Sequence, residues 1–358
     1  MTSQHTPDPH RPQPGPTNSL RDVGLRVGHH TRIGDGWLTG TTCVLAAEGG
    51  AVAGVDVRGG GPGTRETDLL APQNAVERIN AIVLTGGSAY GLAAGSGVAD
   101  SLGEQGIGLP MGGPGEVVPL VPAAVIFDLG RGGSFANRPD AEFGRRALAA
   151  AQQGDDVPAE GNVGAGTGAK AGGVKGGLGQ ASVVLPDGST VAALAVANPI
   201  GSVFDPRTGE LSAARFGLPG EFDLDLVAGE QLAGALAAAD PMPAAQPGRA
   251  TTLAVVATDA PLSKTQCHKL AQVGHDGLAR AIHPVHSMFD GDTVFALSTA
   301  PAPEGTQPGR AGVLGVDLVT LHQILTAGAD TITRAIGRAV LAADAAGDWP
   351  AYRELFTR

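Results

Sequence analysis

The chain carries only two cysteines in 358 residues, Cys43 and Cys267, far apart and in no metal-binding spacing. That excludes a disulfide framework or a thiolate metal centre as the organiser of the fold, and both thiols read as buried residues of a reducing compartment. Aromatic residues are scarce at 4%, so the interior must close with small side chains. Charged residues amount to 16%, with a net charge of −11 and no basic block. Such a surface disfavours nucleic acid and anionic membranes as partners. No run is apolar enough to span a bilayer. The N-terminus lacks the charged start and apolar stretch of a secretion signal, and the expected location is the cytoplasm.

What the chain does have is glycine, 56 of them, and 42% apolar residues. This is enough to bury a sizeable core, with close backbone approaches and many turns. Met1 to Asn18 is polar and Pro-rich, which predicts a disordered tail over residues 1–19 and a fold beginning near Leu20. Short strands are expected at Val23–Val27 and Thr41–Ala46 around a Gly-rich turn, then at Ala51–Arg58, which ends in Gly59-Gly60-Gly61-Pro62-Gly63. His29-His30 has no third ligand at a metal-like spacing and reads as a surface pair. Ile79–Thr85 runs into Gly86-Gly87-Ser88-Ala89-Tyr90-Gly91. The segment approaches a nucleophile elbow, but Tyr90 stands where G-x-S-x-G needs glycine, so it reads as a strand-to-helix turn.

The segment Gly161–Gly179 is the richest in glycine. It lacks the P-loop order, because Ala171 follows Lys170, and no clear strand precedes it for a dinucleotide site. Two lysines, Lys170 and Lys175, remain in a backbone able to approach something closely. Ala181–Leu185, Pro186-Asp187-Gly188 and Thr190–Ala197 form a hairpin. It ends at Asn198-Pro199, where the proline holds Asn198 extended; Asn198 is either a turn residue, the commoner case, or aims its amide at an oxyanion. Ser263 and Gln266 make a capping box for a helix to about Ile282. Asp290 and Asp292 stand at i and i+2 before the strand Val294–Ser298, on one side of an extended segment. They can bind a metal, cap a turn or orient a nucleophile. Leu314, Leu318, Leu321 and Leu325 mark a long C-terminal helix over about 315–344.

A loose, Pro- and Ala-rich lead-in, Asp240 to Gln246, precedes Gly248-Arg249-Ala250-Thr251-Thr252, and an apolar β-branched run follows. A threonine at the head of a buried strand is either one more strand threonine or, after self-cleavage, a new N-terminus. In the second case its hydroxyl is the nucleophile and its α-amine the base. The pattern of strands and helices favours an α+β fold with helices covering stacked sheets.

The segments TTLAVVATDA, from Thr251, and MFDGDTVFA, from Met288, resemble the self-processing aminopeptidase family. That family contains the D-aminopeptidases, the β-peptidyl aminopeptidases and the nylon-oligomer (6-aminohexanoate-oligomer) endo-hydrolases, and the last are the most similar. RGGGPGTRETDLL, LTGGSAYGL, AVIFDLG, GNVGAGTGAK and VANPIG extend the resemblance in order over most of residues 20–345. The resemblance implies a four-layer αββα sandwich similar to the N-terminal-nucleophile hydrolases, with its own connectivity. It implies cleavage between Ala250 and Thr251 into a heavy chain (20–250) and a light chain (251–358), with processed units assembled in fours. By the same resemblance Thr251 is the nucleophile, Asp290 and Asp292 position its amine and hydroxyl, and Asn198 supports the oxyanion. Lys175 fills the site's lysine position, with Lys170 the competitor. Phe127 and Tyr90 are expected to line the substrate. Two departures stand out. Ala250 replaces the asparagine or glycine that precedes the nucleophile in relatives, and Phe127 replaces a tyrosine of the nylon hydrolases. The expected activity is amide hydrolysis through an acyl-enzyme on ω-amino-acid oligomers or β-/D-amino-acid peptides and amides, with no cofactor or metal. An acyl transferase similar to ornithine acetyltransferase and a non-catalytic oligomeric binding protein are the competing readings.

Overall fold

The structure, a computed structural model, describes residues 12–154, 157–239, 249–307, 309–312 and 314–358. The lead-in expected at 240–246 lies outside these residues. In chain order the principal strands are β1 (Arg26–Gly34), β2 (Trp37–Leu45), β3 (Ala51–Val57), β4 (Ala81–Thr85), β5 (Ala123–Val125), β6 (Leu178–Val184), β7 (Thr190–Val196), β8 (Leu253–Thr258) and β9 (Thr293–Ser298). The helices are α1 (Ala93–Glu104), α2 (Ala141–Gln153), α3 (Gly229–Ala238), α4 (Lys264–Ala281), α5 (Leu318–Leu341) and α6 (Tyr352–Phe356).

Two sheets stack between two helical layers. One runs Gln13–Pro14, β6, β7, β8, β9, β3, Arg78–Ile79; the other runs β1, β2, β4, β5, Thr64–Arg65. Apolar side chains from both inner faces, among them Leu84, Ile126, Leu194, Val255 and Phe295, meet in the middle. Helices α4 and α5 cover the outer face of the larger sheet, and α1 and α2 that of the smaller. This is the four-layer αββα sandwich that the family resemblance implied. Small residues permit the tight stacking: Gly54 in β3 lies against the backbone of Cys267 and His268 in α4, where a Cβ has no room. Both thiols are buried and free. No helix among the described residues is long and apolar enough to cross a membrane.

Several local expectations change. β1 and β2 are longer than predicted and join through Asp35-Gly36, with Gly34 paired to Trp37. Both loop residues have positive φ, 51° and 81°, the two-residue hairpin that Asp-Gly favours. His29 and His30 therefore sit in a strand: His29 Nδ1 meets Thr42 Oγ1 at 3.0 Å, and His30 packs edge-on against Phe143. The tail expected to be disordered is tied down from residue 13. Gln13–Pro14 pairs with Val183–Val184, and Asn18 Oδ1 accepts hydrogen bonds from Ser182 N (2.7 Å) and Arg334 Nη2 (3.0 Å). The capping box of Ser263 and Gln266 starts α4 as expected.

Every residue of β8 is buried. It pairs antiparallel with β7 and parallel with β9. Each large apolar side chain placed there contributes roughly 1.5–3 kcal/mol relative to exposure, so the strand is fixed firmly and its first residues with it.

Candidate active site

Register assembles the site. Val196 pairs with Leu253 and Leu253 with Thr293. Continued two residues past the strand ends, that register sets Asn198 on one side of Thr251 and Gly291 on the other. The hydrogen bonds follow it. Thr251 N–H donates to Asn198 O at 2.8 Å, Gly291 N–H to Ala250 O at 3.1 Å, and Thr293 N–H to Thr252 O at 3.2 Å. Thr251 is only 5% exposed. Its hydroxyl lies 2.5 Å from Ala250 O, the carbonyl of the peptide bond just before it. That carbonyl therefore meets the hydroxyl and the Gly291 amide together. A side chain at Gly291 would press on the same hydroxyl: a Cβ there stands 2.7 Å from Thr251 Oγ1.

The glycine run after β3 wraps this turn from outside. Arg58 N–H and Gly59 N–H both donate to Asp292 O, at 3.0 and 3.3 Å, and Gly61 N–H donates to Asp290 O at 2.8 Å. The two aspartates are buried, but the structure ties them to the backbone around Thr251 and not to its hydroxyl. Asp292 Oδ1 accepts Thr252 N–H at 2.6 Å. Its Oδ2 accepts His286 N–H at 3.2 Å and faces His286 Nδ1 at 2.8 Å. Asp290 accepts Ser287 N–H and Oγ–H and, more loosely, Ile200 N–H. Burial, and secondarily the Asp292 charge, raise the Asp290 carboxyl above its usual range. The Asp292 contacts also give the substitution Asp292→Ala a double effect. It strands the buried Thr252 amide and releases His286, at about 1–3 kcal/mol for a stranded donor. Turnover is expected to fall steeply and the melting temperature by several degrees together. Unchanged turnover in a destabilised variant would make Asp292 a turn cap only.

No motif in the sequence singles out His286. Its backbone takes φ of 55°, rare for a non-glycine, and its ring meets that of His275 edge-on at 4.7 Å. Burial lowers His275 to about 4. A contact across eleven residues and a strained φ leave no local signal.

Asn198 is fully buried. Its Oδ1 accepts hydrogen bonds from Arg131 Nη1 (2.6 Å) and Lys170 N (3.1 Å), while its Nδ2 is buried with no partner among the described residues. A buried amide donor is costly to leave unpaired, and Asn198 sits directly beside Thr251. Arg131 also donates to Gly168 O (2.6 Å) and Arg249 O (3.2 Å). Burial lowers its guanidinium to about 10. Of the two lysines, Lys170 touches Asn198 directly, through its backbone amide. Lys175 pairs with Lys170 across a short hairpin, is wholly buried, and gives its ammonium to Gly176 O (2.6 Å) and Gly166 O (3.2 Å). Burial brings Lys175 down to about 7, so at neutral pH it can hold or yield a proton. Phe127 is half-buried beneath the Arg249 guanidinium, 5.4 Å from its ring centre. Tyr90 lies at the surface, 57% exposed, with Arg138 over its ring at 3.8 Å. Two surface clefts lie elsewhere, one against Arg21, Arg26 and Gln180, the other against Glu48, Arg78 and Gly309. Thr251 lines neither.

A buried threonine hydroxyl on its own preceding carbonyl, flanked by an unpaired asparagine amide, is a constellation for acyl chemistry. The family model for peptidase family S58 matches residues 18–348. The chain belongs to peptidase family S58. S58 relatives cover nearly all of it. An uncharacterized aminopeptidase of Mycobacterium tuberculosis is 46% identical over 346 residues, 95% of this chain and 98% of the relative. A 6-aminohexanoate-oligomer endohydrolase of Kocuria sp. is 33% identical over 298 residues, 80% of this chain and 77% of the relative. Among solved structures, a Burkholderia sp. β-aminopeptidase superposes with a TM-score of 0.68 at 26% identity, covering 93% of this chain and 89% of that one. An L-aminopeptidase D-Ala-esterase/amidase of Ochrobactrum anthropi, described as a variant of the Ntn hydrolase fold, gives a TM-score of 0.66 at 22% identity, and so speaks for the fold. This S58 chain is an amide-bond hydrolase related to aminopeptidases and nylon-oligomer hydrolases.

Proposed function

We propose that the chain is an autoprocessed threonine amidohydrolase. The observation that carries this reading is the Thr251 hydroxyl 2.5 Å from the Ala250 carbonyl oxygen, with the Gly291 amide on the same oxygen. In the first stage Oγ1 attacks the Ala250 carbonyl carbon, and Gly291 N–H supports the developing oxyanion. The hydroxyl proton goes to the departing Thr251 nitrogen, which leaves an ester. Water then hydrolyses the ester to an Ala250 carboxylate and a free Thr251 hydroxyl and amine.

In the second stage the α-amine, with an ordinary pKa of about 8, accepts the hydroxyl proton as Oγ1 attacks a substrate amide. Asn198 Nδ2 is the donor for that oxyanion. The proton passes to the leaving amine, and water hydrolyses the acyl-enzyme. Asp290 and Asp292 act by holding the backbone on which Thr251 and Thr252 stand. Lys175, whose ammonium holds the Gly166 and Gly176 carbonyls, braces the hairpin that carries Lys170. No step calls on a metal or organic cofactor.

The substrates we propose are linear or cyclic 6-aminohexanoate oligomers or β-amino-acid amides. Support comes from the relatives named for that oligomer and that peptide class. The processed units are proposed to assemble in fours in the cytoplasm. Amine release from a 6-aminohexanoate oligomer, a β-alanyl amide and an L-alanyl amide, with and without EDTA, tests the reading. The first two are expected to be cleaved in both conditions. Preference for the L-alanyl amide would overturn the substrate assignment, and complete loss in EDTA the mechanism.

A further inference from the structure

Three cations gather at the site, and among the described residues none of them forms an ion pair. The Arg131 guanidinium and the Lys170 ammonium both face the ring of Trp349, at 5.4 and 5.6 Å. Arg131 also reaches Arg249 O, while the Arg249 guanidinium lies over Phe127. The nearby carboxylates are already engaged. Asp128 accepts from Thr39 Oγ1 (2.6 Å) and Gly87 N (2.7 Å), Asp344 pairs with Arg353 at 2.7 Å, and Asp290 and Asp292 serve the turn described above. Burial, Arg131 and Arg249 all lower the Lys170 ammonium, as mutual repulsion of uncompensated charges requires.

We infer that the mature site recognises a carboxylate carried close to the scissile amide, with Arg131 and Lys170 as its anchors. The inference rests on the proposed amidohydrolase function and adds the charge of its substrates. Arg131 has the buried Asp128 charge nearby, but half-buried Lys170 and exposed Arg249 have no carboxylate at ion-pair distance among the described residues, and an incoming anion relieves the cost of holding Lys170 charged. A guanidinium fork suits a carboxylate better than any other group in the cluster. Trp349 orients both cations. In the intact chain the Arg131 Nη2 donor rests on the neutral carbonyl of Arg249, one residue upstream of the proposed cut. Once the bond after Ala250 is cut, the Arg249 carbonyl is no longer tethered to Thr251; this end must withdraw with its new Ala250 carboxylate for the donor to become available to substrate. A substrate bearing an ammonium at the same place would instead be repelled.

The carboxylate can sit on the leaving-amine side, as in an oligomer with a free C-terminus, or on the acyl side, as in a dicarboxylic monoamide. Two matched pairs distinguish them with the processed protein. The first is the 6-aminohexanoate dimer against its terminal primary amide, and the second is N-propyl adipamic acid against N-propylhexanamide. In at least one pair kcat/KM is expected to favour the charged member by tenfold or more, and that pair identifies the side. Lys170→Gln is expected to erase most of the ratio, chiefly through KM. Arg131→Lys, which keeps a cation but loses the fork, is expected to reduce it. Ratios near one in both pairs, with the neutral members cleaved, overturn the inference and leave the amidohydrolase reading intact. A Lys170→Gln variant that loses charged and neutral substrates equally overturns it too. If no member of either pair is cleaved while the β-alanyl amide is, the inference falls and the amidohydrolase reading stands; if none of these substrates is cleaved, both readings fall.

Discussion

Purified protein is expected to run as two fragments on a denaturing gel, with the smaller one beginning at Thr251. Intact mass and N-terminal sequencing measure this directly. The geometry that favours it is compact: a hydroxyl at 2.5 Å from the neighbouring carbonyl oxygen and the Gly291 amide on that oxygen. Thr251→Ala removes the attacking atom, so that variant is expected to stay a single chain and to hydrolyse no amide. Thr251→Ser keeps the atom and is expected to process and retain part of the activity. Ala250 in place of the larger residue of some relatives leaves the carbonyl unchanged, and processing is expected to proceed. A single intact chain in the wild type, or a new N-terminus elsewhere, would remove the foundation of the mechanism.

Asn198→Asp is expected to separate the two stages. Aspartate keeps an oxygen for Arg131 Nη1 and Lys170 N–H, which now sit on Asn198 Oδ1 at 2.6 and 3.1 Å, so the local structure holds. It replaces the unpaired Nδ2 donor with an acceptor. The Ala250 carbonyl is served by Gly291 and not by this amide, so self-cleavage is expected to continue. Turnover of substrate amides is expected to fall by about 10²–10³, the usual loss for one oxyanion donor. The measurements are the fragment pattern and kcat on the same preparation. Full activity in a processed variant would remove Asn198 from the oxyanion role, and a folded but uncleaved variant would assign it to processing instead.

The parts of this site that can be read from sequence are those set by local pattern or by strand order. The start of α4 is announced by Ser263 and Gln266, the β6–β7 hairpin by its turn, and Asn198 by the proline after it. Thr251 and Asp290–Asp292 each precede an apolar strand, but that pattern leaves their roles open and the resemblance to self-processing aminopeptidases assigns them. Arg131 does not, since nothing in Gly130-Arg131-Gly132 predicts a contact with Asn198, 67 residues on. His286 is hidden for the same reason. The β1–β2 turn was present as Asp35-Gly36, but the many neighbouring glycines blur it into a longer loop. The short ladder at Gln13–Pro14 is set by an edge of the sheet that forms only when β6 is in place. Helix α3, rich in alanine and glycine with little amphipathic contrast, carries a weak periodic signal.

The position of β8 and β9 within the larger sheet has a consequence for the two fragments as physical objects. Both strands come from the C-terminal piece, yet β7 flanks them on one side and β3 on the other, and both of those belong to the N-terminal piece. A cut at Ala250 therefore does not divide the molecule along a seam. The smaller fragment is a wedge driven through the middle of the larger one's sheet, held by backbone ladders on both flanks. Made alone, residues 1–250 would present two raw interior edges to solvent, an invitation to aggregate, and residues 251–358 would be a strand pair with its helices and no sheet to join. Fragments made by the proposed cut are expected to stay together short of unfolding, and neither is expected to fold alone. If the bond after Ala250 is cut, as proposed, the ladders of the larger sheet still join the two pieces.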